Sequence, residues 1–136
     1  MTETEKAYIA GIIDGEGSVM LQRIHKNEHT SPCVSIASTT LELLEWIKDT
    51  VGKGRVLSKK NYNIKKHKDC YSYVLRRNAA IQLLKDIYPY LIINTKKKRA
   101  ELIISTYKSV THRNGYYTYG MLIVKEEFYK EFMGIK

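Results

Sequence analysis

The chain predicts an α+β fold: four antiparallel strands in one sheet, with helices packed on one face and the other face free. Three observations carry that reading. Two pairs of short alternating segments are each joined through a polar turn or loop, as hairpins are. Segments with apolar residues at helical spacing surround them, opened by capping residues. A length of 136 residues at 43% hydrophobic content is enough for one packed core. No linker or low-complexity tract interrupts it, so residues 1–136 are expected to form a single domain.

Thr2 and Glu5 have capping-box spacing and open a helix from Glu3 to about Ile13. Ser18 to Lys26 reads as a strand, with Val19, Leu21 and Arg23 on one face and Met20, Gln22 and Ile24 on the other. Asn27 to Ser31 is a polar turn, and Cys33 to Ser38 a second strand. Thr39 and Glu42 form another capping-box pair before a helix, Thr40 to Val51, on which Leu41, Leu44, Ile47 and Val51 recur; Trp46 is expected in or beside the core. Gly52-Lys53-Gly54 ends that helix. Arg55 to Lys60 and Tyr71 to Arg76 pair across the basic loop Asn61 to Asp69. Asn78 caps a helix running to Ile87, stopped by Pro89. Thr95 caps a longer one, Lys96 to Val110, and a short last helix is expected at about Val124 to Phe132. The order is α-β-β-α-β-β-α-α. Sheets of this kind leave one face open to long polar side chains, and a two-stranded ribbon fits the major groove of DNA.

Composition narrows the partners. The net charge of +9, from 23 Lys and Arg against 14 Asp and Glu, points to a polyanion such as nucleic acid. Eleven tyrosines accompany it, able to pack a ring while a hydroxyl reaches a phosphate. No apolar run is long enough to span a bilayer, and the polar N-terminus has no secretory signal, so no membrane partner and an intracellular location are expected. Cys33 and Cys70 lack metal-ligand spacing and read as reduced thiols; His25, His29, His67 and His112 show no zinc pattern.

The most informative stretch is Ile9-Ala10-Gly11-Ile12-Ile13-Asp14-Gly15-Glu16-Gly17. An apolar helix ends in two carboxylates, where the helix dipole disfavours acids. Something cationic, or an unusual backbone demand, is therefore expected there. Ala10, Gly11 and Gly15 would let another backbone approach closely.

These nine residues resemble the LAGLIDADG motif of a family of homing endonucleases, nearly position by position, with Tyr8 before and Ser18-Val19 after them. The element order and the Lys96-Lys97-Lys98-Arg99-Ala100 segment extend the resemblance to about residue 108. The motif occurs once, and single-motif members act as homodimers, packing their motif helices across a two-fold axis. The resemblance thus implies the αββαββα homing-endonuclease fold and a site-specific enzyme. It would cut both strands of a long, partly palindromic double-stranded DNA target, leaving 3′-hydroxyl and 5′-phosphate ends with short 3′ overhangs. The alternative on the same fold is a non-cleaving RNA-splicing maturase or DNA-binding protein.

Residue roles follow from the resemblance. Glu16 matches the metal-binding catalytic acid, with the Gly15 carbonyl as the main-chain ligand beside it. Mg²⁺ suits such hard oxygen ligands, and Mn²⁺ would substitute. Asp14 matches the first, structural acid; Ala10 and Gly11 belong to the helix contact. Lys96 matches the basic residue near the scissile phosphate, with Lys97 or Lys98 serving if the register slips. Ser38 matches a polar, water-positioning residue. Alternation and the resemblance together place DNA contacts at Ser18, Met20, Gln22, Ile24 and Lys26, at Cys33 and Ser35, at Arg55, Leu57 and Lys59, and at Tyr71 and Tyr73. Gln22 can pair with adenine and Arg55 with guanine, while Met20 and Ile24 can meet thymine methyls. Lys60, Lys65, Lys66, His67 and Lys68 are expected on phosphates.

Overall fold

A computed structural model describes the chain except for residues 60–62, 64, 66, 67 and 113–115. Lys60, Lys66 and His67 therefore lie outside the described residues. The order is α1 (Glu3–Glu16), β1 (Gly17–Gln22), β2 (Ser31–Ser38), α2 (Leu41–Val51), β3 (Arg55–Lys59), β4 (Cys70–Arg76), α3 (Arg77–Ile87), α4 (Asn94–Thr106) and α5 (Tyr119–Met133). Short 3-10 turns follow α3 and α4, at Tyr88–Tyr90 and Tyr107–Val110. The strands form one antiparallel sheet in the order β1-β2-β4-β3, so two αββ units meet where β2 pairs with β4. Among the described residues no helix is long and apolar enough to cross a membrane.

Local chemistry explains most boundaries. The Thr2 hydroxyl accepts from Glu5 N and the Glu5 carboxylate accepts from Thr2 N, completing the predicted capping box. Helix α1 runs three residues past the predicted Ile13 and passes into β1 with no connecting residue. Gly17 makes that junction possible, because a Cβ there would stand 2.8 Å from the Ile13 Cα. Strand β1 stops at Gln22 and not Lys26, its ladder ending just beyond Pro32, which has no N–H to donate. Ile24 and Lys26 consequently sit in the β1–β2 loop. The Thr39–Glu42 box does not form; Thr40 precedes α2 without a side-chain cap. Gly52, at φ +82, closes α2 in the left-handed conformation that glycine tolerates. Asn78 does not cap α3 either: the chain enters that helix through Arg77 at φ 59.

The core lies between the inner sheet face and the helices. Ile9, Ala10 and Ile13 of α1 pack with Val34, Ile36 and Leu75, and α2 adds Leu44 and Ile47. Trp46 is pushed outward, 38% exposed, and meets Tyr8 edge-on at 5.1 Å between centroids. The largest fully buried side chain is Tyr73. Its ring lies where a Cβ on Gly54 would fall, 2.5 Å from Cε2, and its hydroxyl donates to the Lys53 carbonyl at 2.6 Å. One polar handle thus satisfies a buried phenol and locks the turn between α2 and β3.

This overturns the predicted outward placement of Tyr71 and Tyr73. Tyr73 is paired with Ile36 and Val56 on the inner face, and Tyr71 packs at the core edge. Strand periodicity of two means that a one-residue error moves every side chain across the sheet. Leu75 fixes the phase: Tyr71, Tyr73 and Leu75 must share its face. Burial pushes the Tyr73 hydroxyl pKa up to about 12. A raised folded pKa gives stability that is complete below the unfolded value, near 10, and lost as pH climbs through the folded one. Tyr73→Phe should cost about 1 kcal/mol at neutral pH and flatten the alkaline loss of stability between about pH 10 and 12. Urea denaturation across that range measures both.

Candidate functional site

The acid-rich end of α1 is built by contacts from the segment that opens α4. The Asp14 carboxylate accepts from Ile92 N at 2.9 Å and from Ile93 N at 3.2 Å, one oxygen to each. That replaces the predicted Thr95 cap: α4 starts at Asn94 without a side-chain cap of its own, and the chain just before it is gripped by Asp14. Lys96 then reaches back, its ammonium donating to the Ile13 carbonyl at 2.7 Å and to the Asp14 carbonyl. Helix carbonyls of the last turn lack intrahelical donors and carry the negative end of the dipole. No basic residue lies in that turn of α1, so Lys96 supplies the missing cation from elsewhere in the chain.

The two acids therefore differ in kind. Asp14 is spent on backbone amides. Glu16 is exposed, and its carboxylate has no hydrogen-bond or ion-pair partner among the described residues. The Gly15 carbonyl lies in the same last turn. No group of three or more His, Cys, Asp or Glu that could hold a metal ion occurs among the described residues. One chain thus offers Glu16 and a main-chain oxygen, a hard donor set of the kind Mg²⁺ prefers, but only part of a coordination shell.

Several predicted placements change. Lys96 is committed to the end of α1 instead of projecting free, because the Asp14 carbonyl and the negative end of the helix dipole attract it, and it shares the Ile13 carbonyl with the Gly17 N–H. The Ser38 hydroxyl accepts from Thr40 N at 3.0 Å, shaping the turn into α2, and its pairing with Tyr71 puts it on the inner side of the sheet. Ala10 is wholly buried in its own core and cannot face another helix. Gly11 and Gly15 are the open positions: a Cβ at either would meet nothing within 4 Å.

The outer face of the sheet is read from the strand registers. Ser18, Ser35, Val74 and Arg55 form one row across all four strands; Met20, Cys33 and Arg76 form the next. Leu57 pairs with Ser72, Lys59 with Cys70, and Gln22 with Ser31 on the same side. These outward strand positions hold Arg55, Lys59 and Arg76 and no carboxylate. Cys33, expected to be open, is 1% exposed, with the Arg76 side chain of the next strand against its thiol. Burial pushes its thiol pKa up, and the Arg76 guanidinium beside it works in the other direction.

Arg76 is the residue that sequence reasoning missed. It ends β4 in the outward phase, and its buried Nε has no hydrogen-bond partner. Taking the strand phase from Leu75 instead of the tyrosines would have found it. The C-terminal segment was also underestimated. Phe128 and Phe132 of α5 are buried, and Arg99 of α4 donates to the Ile135 carbonyl at 2.8 Å.

The chain matches the family model described as a LAGLIDADG-like domain over residues 3–135. No curated protein sequence matches it. Solved structures with the same fold include the homing endonuclease I-CvuI in complex with the I-CreI target in 2 mM Mg, its DNA not cleaved. That likeness has a TM-score of 0.75 at 15% identity, over 98% of this chain and 83% of that one. I-CvuI with its own target in 2 mM Ca gives 0.70 at 16% identity, over 98% and 83%. A LAGLIDADG homing endonuclease with its DNA target, I-GzeII, gives 0.62 at 22% identity, over 96% of this chain but 43% of that one.

Replacing Lys96 by Met keeps its length and removes its charge. This should cost about 2 kcal/mol, the scale of a charge-assisted hydrogen bond, seen as a lowered urea midpoint.

Proposed function

The chain belongs to the LAGLIDADG-like family, and from that premise we propose that it is a homing endonuclease cutting both strands of duplex DNA as a homodimer. One observation carries the reading. Glu16 keeps an exposed, uncommitted carboxylate directly before a strand whose outer face is basic, while its neighbour Asp14 is fully used in holding the turn. A carboxylate kept free while its neighbour is consumed fits a ligand-binding role and not a capping one.

The outer face supplies recognition. Arg55 and Arg76 can pair bidentately with guanine, Gln22 with adenine, and Met20 can contact a thymine methyl. Lys59 and the loop residues Lys26, Lys65 and Lys68 add phosphate contacts, which give affinity without sequence information. Similar structures are described with DNA and with Mg or Ca, which supports duplex DNA as partner and a divalent cation as cofactor. Glu16 and the Gly15 carbonyl would hold that cation. When bound, it supplies charge neutralisation at the scissile phosphate and a more acidic water. Glu16 itself would orient the ion, and the cationic outer face would fix the phosphate in register. Lys96 would act as a positioning residue, keeping the motif turn at a fixed height.

The incomplete donor set and the open strip on α1 support a homodimer. Gly11 and Gly15 have no intramolecular need to be glycine, so a second backbone against them accounts for both. Tyr8, 56% exposed on the same helix, would be covered as well. The chain spans most of I-CvuI but under half of I-GzeII, which suits one motif-bearing unit that pairs with a copy of itself.

Glu16→Gln should lower cleavage of a plasmid carrying the recognition site by at least about 100-fold, more than loss of an outer-shell partner costs, with duplex affinity little changed. Wild-type protein that binds this plasmid in Mg²⁺ without nicking or linearising it would favour the non-cleaving maturase or DNA-binding role. Gly11→Leu should convert a sedimenting dimer to monomer and remove double-strand cutting. A monomeric wild-type protein with full activity would contradict the dimer.

A further inference from the structure

A second cationic site lies away from α1, between the β1–β2 loop and α5. A recess of about 200 Å³ there is lined by Arg23, His29, Thr30, Lys125, Glu126 and Phe128, among others. Lys125 is 7% exposed. Its ammonium donates to the Thr111 hydroxyl oxygen at 2.8 Å, and that hydroxyl in turn donates to the Tyr107 carbonyl at 2.7 Å. The rings of Tyr107 and Tyr117 stand 5.1 and 5.7 Å from Nζ. The imidazole of His29 lies 4.6 Å from the Tyr117 ring.

Arg23 and Lys125 give the recess a net positive charge. Among the described residues no carboxylate lies within ion-pair distance of Lys125, Arg23 or His29, and Glu126 is the one acid lining the recess. Burial, and then the charges of Lys125 and Arg23, hold the His29 pKa below its ordinary value. Burial alone lowers that of Lys125. A buried ammonium served by one hydroxyl and two ring faces is poorly compensated, since a buried charge normally requires a countercharge. The Arg23 guanidinium lining the same recess adds a second positive charge. A cation is excluded from such a recess, and an apolar ligand would leave the charges unpaired. A tetrahedral oxyanion would meet donors from several directions at once: the ammonium, the guanidinium fork, the imidazole and the Thr30 hydroxyl.

We propose that Arg23, His29 and Lys125 form a binding site for a phosphate oxyanion, with Thr30 as an additional donor. The chemistry is the same for a DNA backbone phosphodiester and for free phosphate. The site does not depend on cleavage at Glu16.

The test titrates inorganic phosphate into the full chain at fixed ionic strength, with chloride as the balancing salt, and follows the His29 ring protons by NMR. Their signals are identified by their loss in His29→Gln. Phosphate should give a saturable shift that chloride does not. Arg23→Gln, at an exposed position, should weaken phosphate affinity about tenfold, the scale of one charge-assisted hydrogen bond. Lys125→Met should do the same, and its thermal unfolding reports whether it is folded. In a second arm, duplex affinity is measured against salt. A slope smaller by about 1 in Arg23→Gln identifies a DNA phosphodiester as the occupant; an unchanged slope with intact phosphate binding identifies free phosphate. No phosphate-dependent shift together with an unchanged slope overturns the proposal, as does a shift undiminished in Arg23→Gln. Should the protein bind no duplex at all, the phosphate arm still decides.

Discussion

Everything at the functional end of the molecule depends on how the last turn of α1 is held. Backbone carbonyls there point toward α4, and the Lys96 ammonium takes two of them. The Asp14 carboxylate points the same way and takes two amides from the segment before α4. Donor and acceptor thus run in both directions across one contact. The helix tolerates acids at its negative pole because one acid is hydrogen-bonded by amides and the pole itself meets a lysine. What remains is a single carboxylate, Glu16, left in solvent at a fixed place.

Most of the fold was legible because the local signals agreed with one another. The Thr2–Glu5 box, the glycine stop after α2 and the alternation of Val19 and Leu21 each point to the same element in isolation and in the folded chain. The failures at Lys96 and Tyr73 concern partners distant in sequence, while the two missed caps are displaced by their immediate neighbours. Lys96 reads as a free cation until Ile13 and Asp14 are placed beside it. Thr39 and Asn78 are good capping residues, yet Ser38 and the Arg77 backbone shape those turns instead. Tyr71 and Tyr73 read as outward from alternation and the resemblance; the acceptor that draws Tyr73 inward, the Lys53 carbonyl, lies twenty residues away. The free acid at position 16 was visible because the motif is contiguous. The outer-face guanidinium of Arg76 was not, because its direction rests on a strand phase set by burial.

The sheet divides its labour by face. Inward rows are mostly apolar and carry the tyrosines, so aromatic area goes into stability. Outward rows mix small, polar and basic residues with Met20, Leu57 and Val74, and hold no carboxylate. The C-terminal helix adds core through Phe128 and Phe132 and brings a buried lysine to the back of the β1–β2 loop. That loop is tied at its far side by Glu28 to Arg77 at 3.4 Å, an exposed pair that guides the loop more than it stabilises it.

The junction between Glu16 and Gly17 has a mechanical meaning. Helix passes into strand with no slack residue, and Gly17 sits against the backbone of Ile13. The carboxylate and the edge strand therefore behave as one lever, with its fulcrum where Lys96 and Asp14 pin the helix. A shift of β1 is therefore passed directly to the backbone of Glu16. A ligand seated on the outer face would in this way move the backbone of the acid without touching it, so position at Glu16 becomes a matter of stiffness as well as of contact.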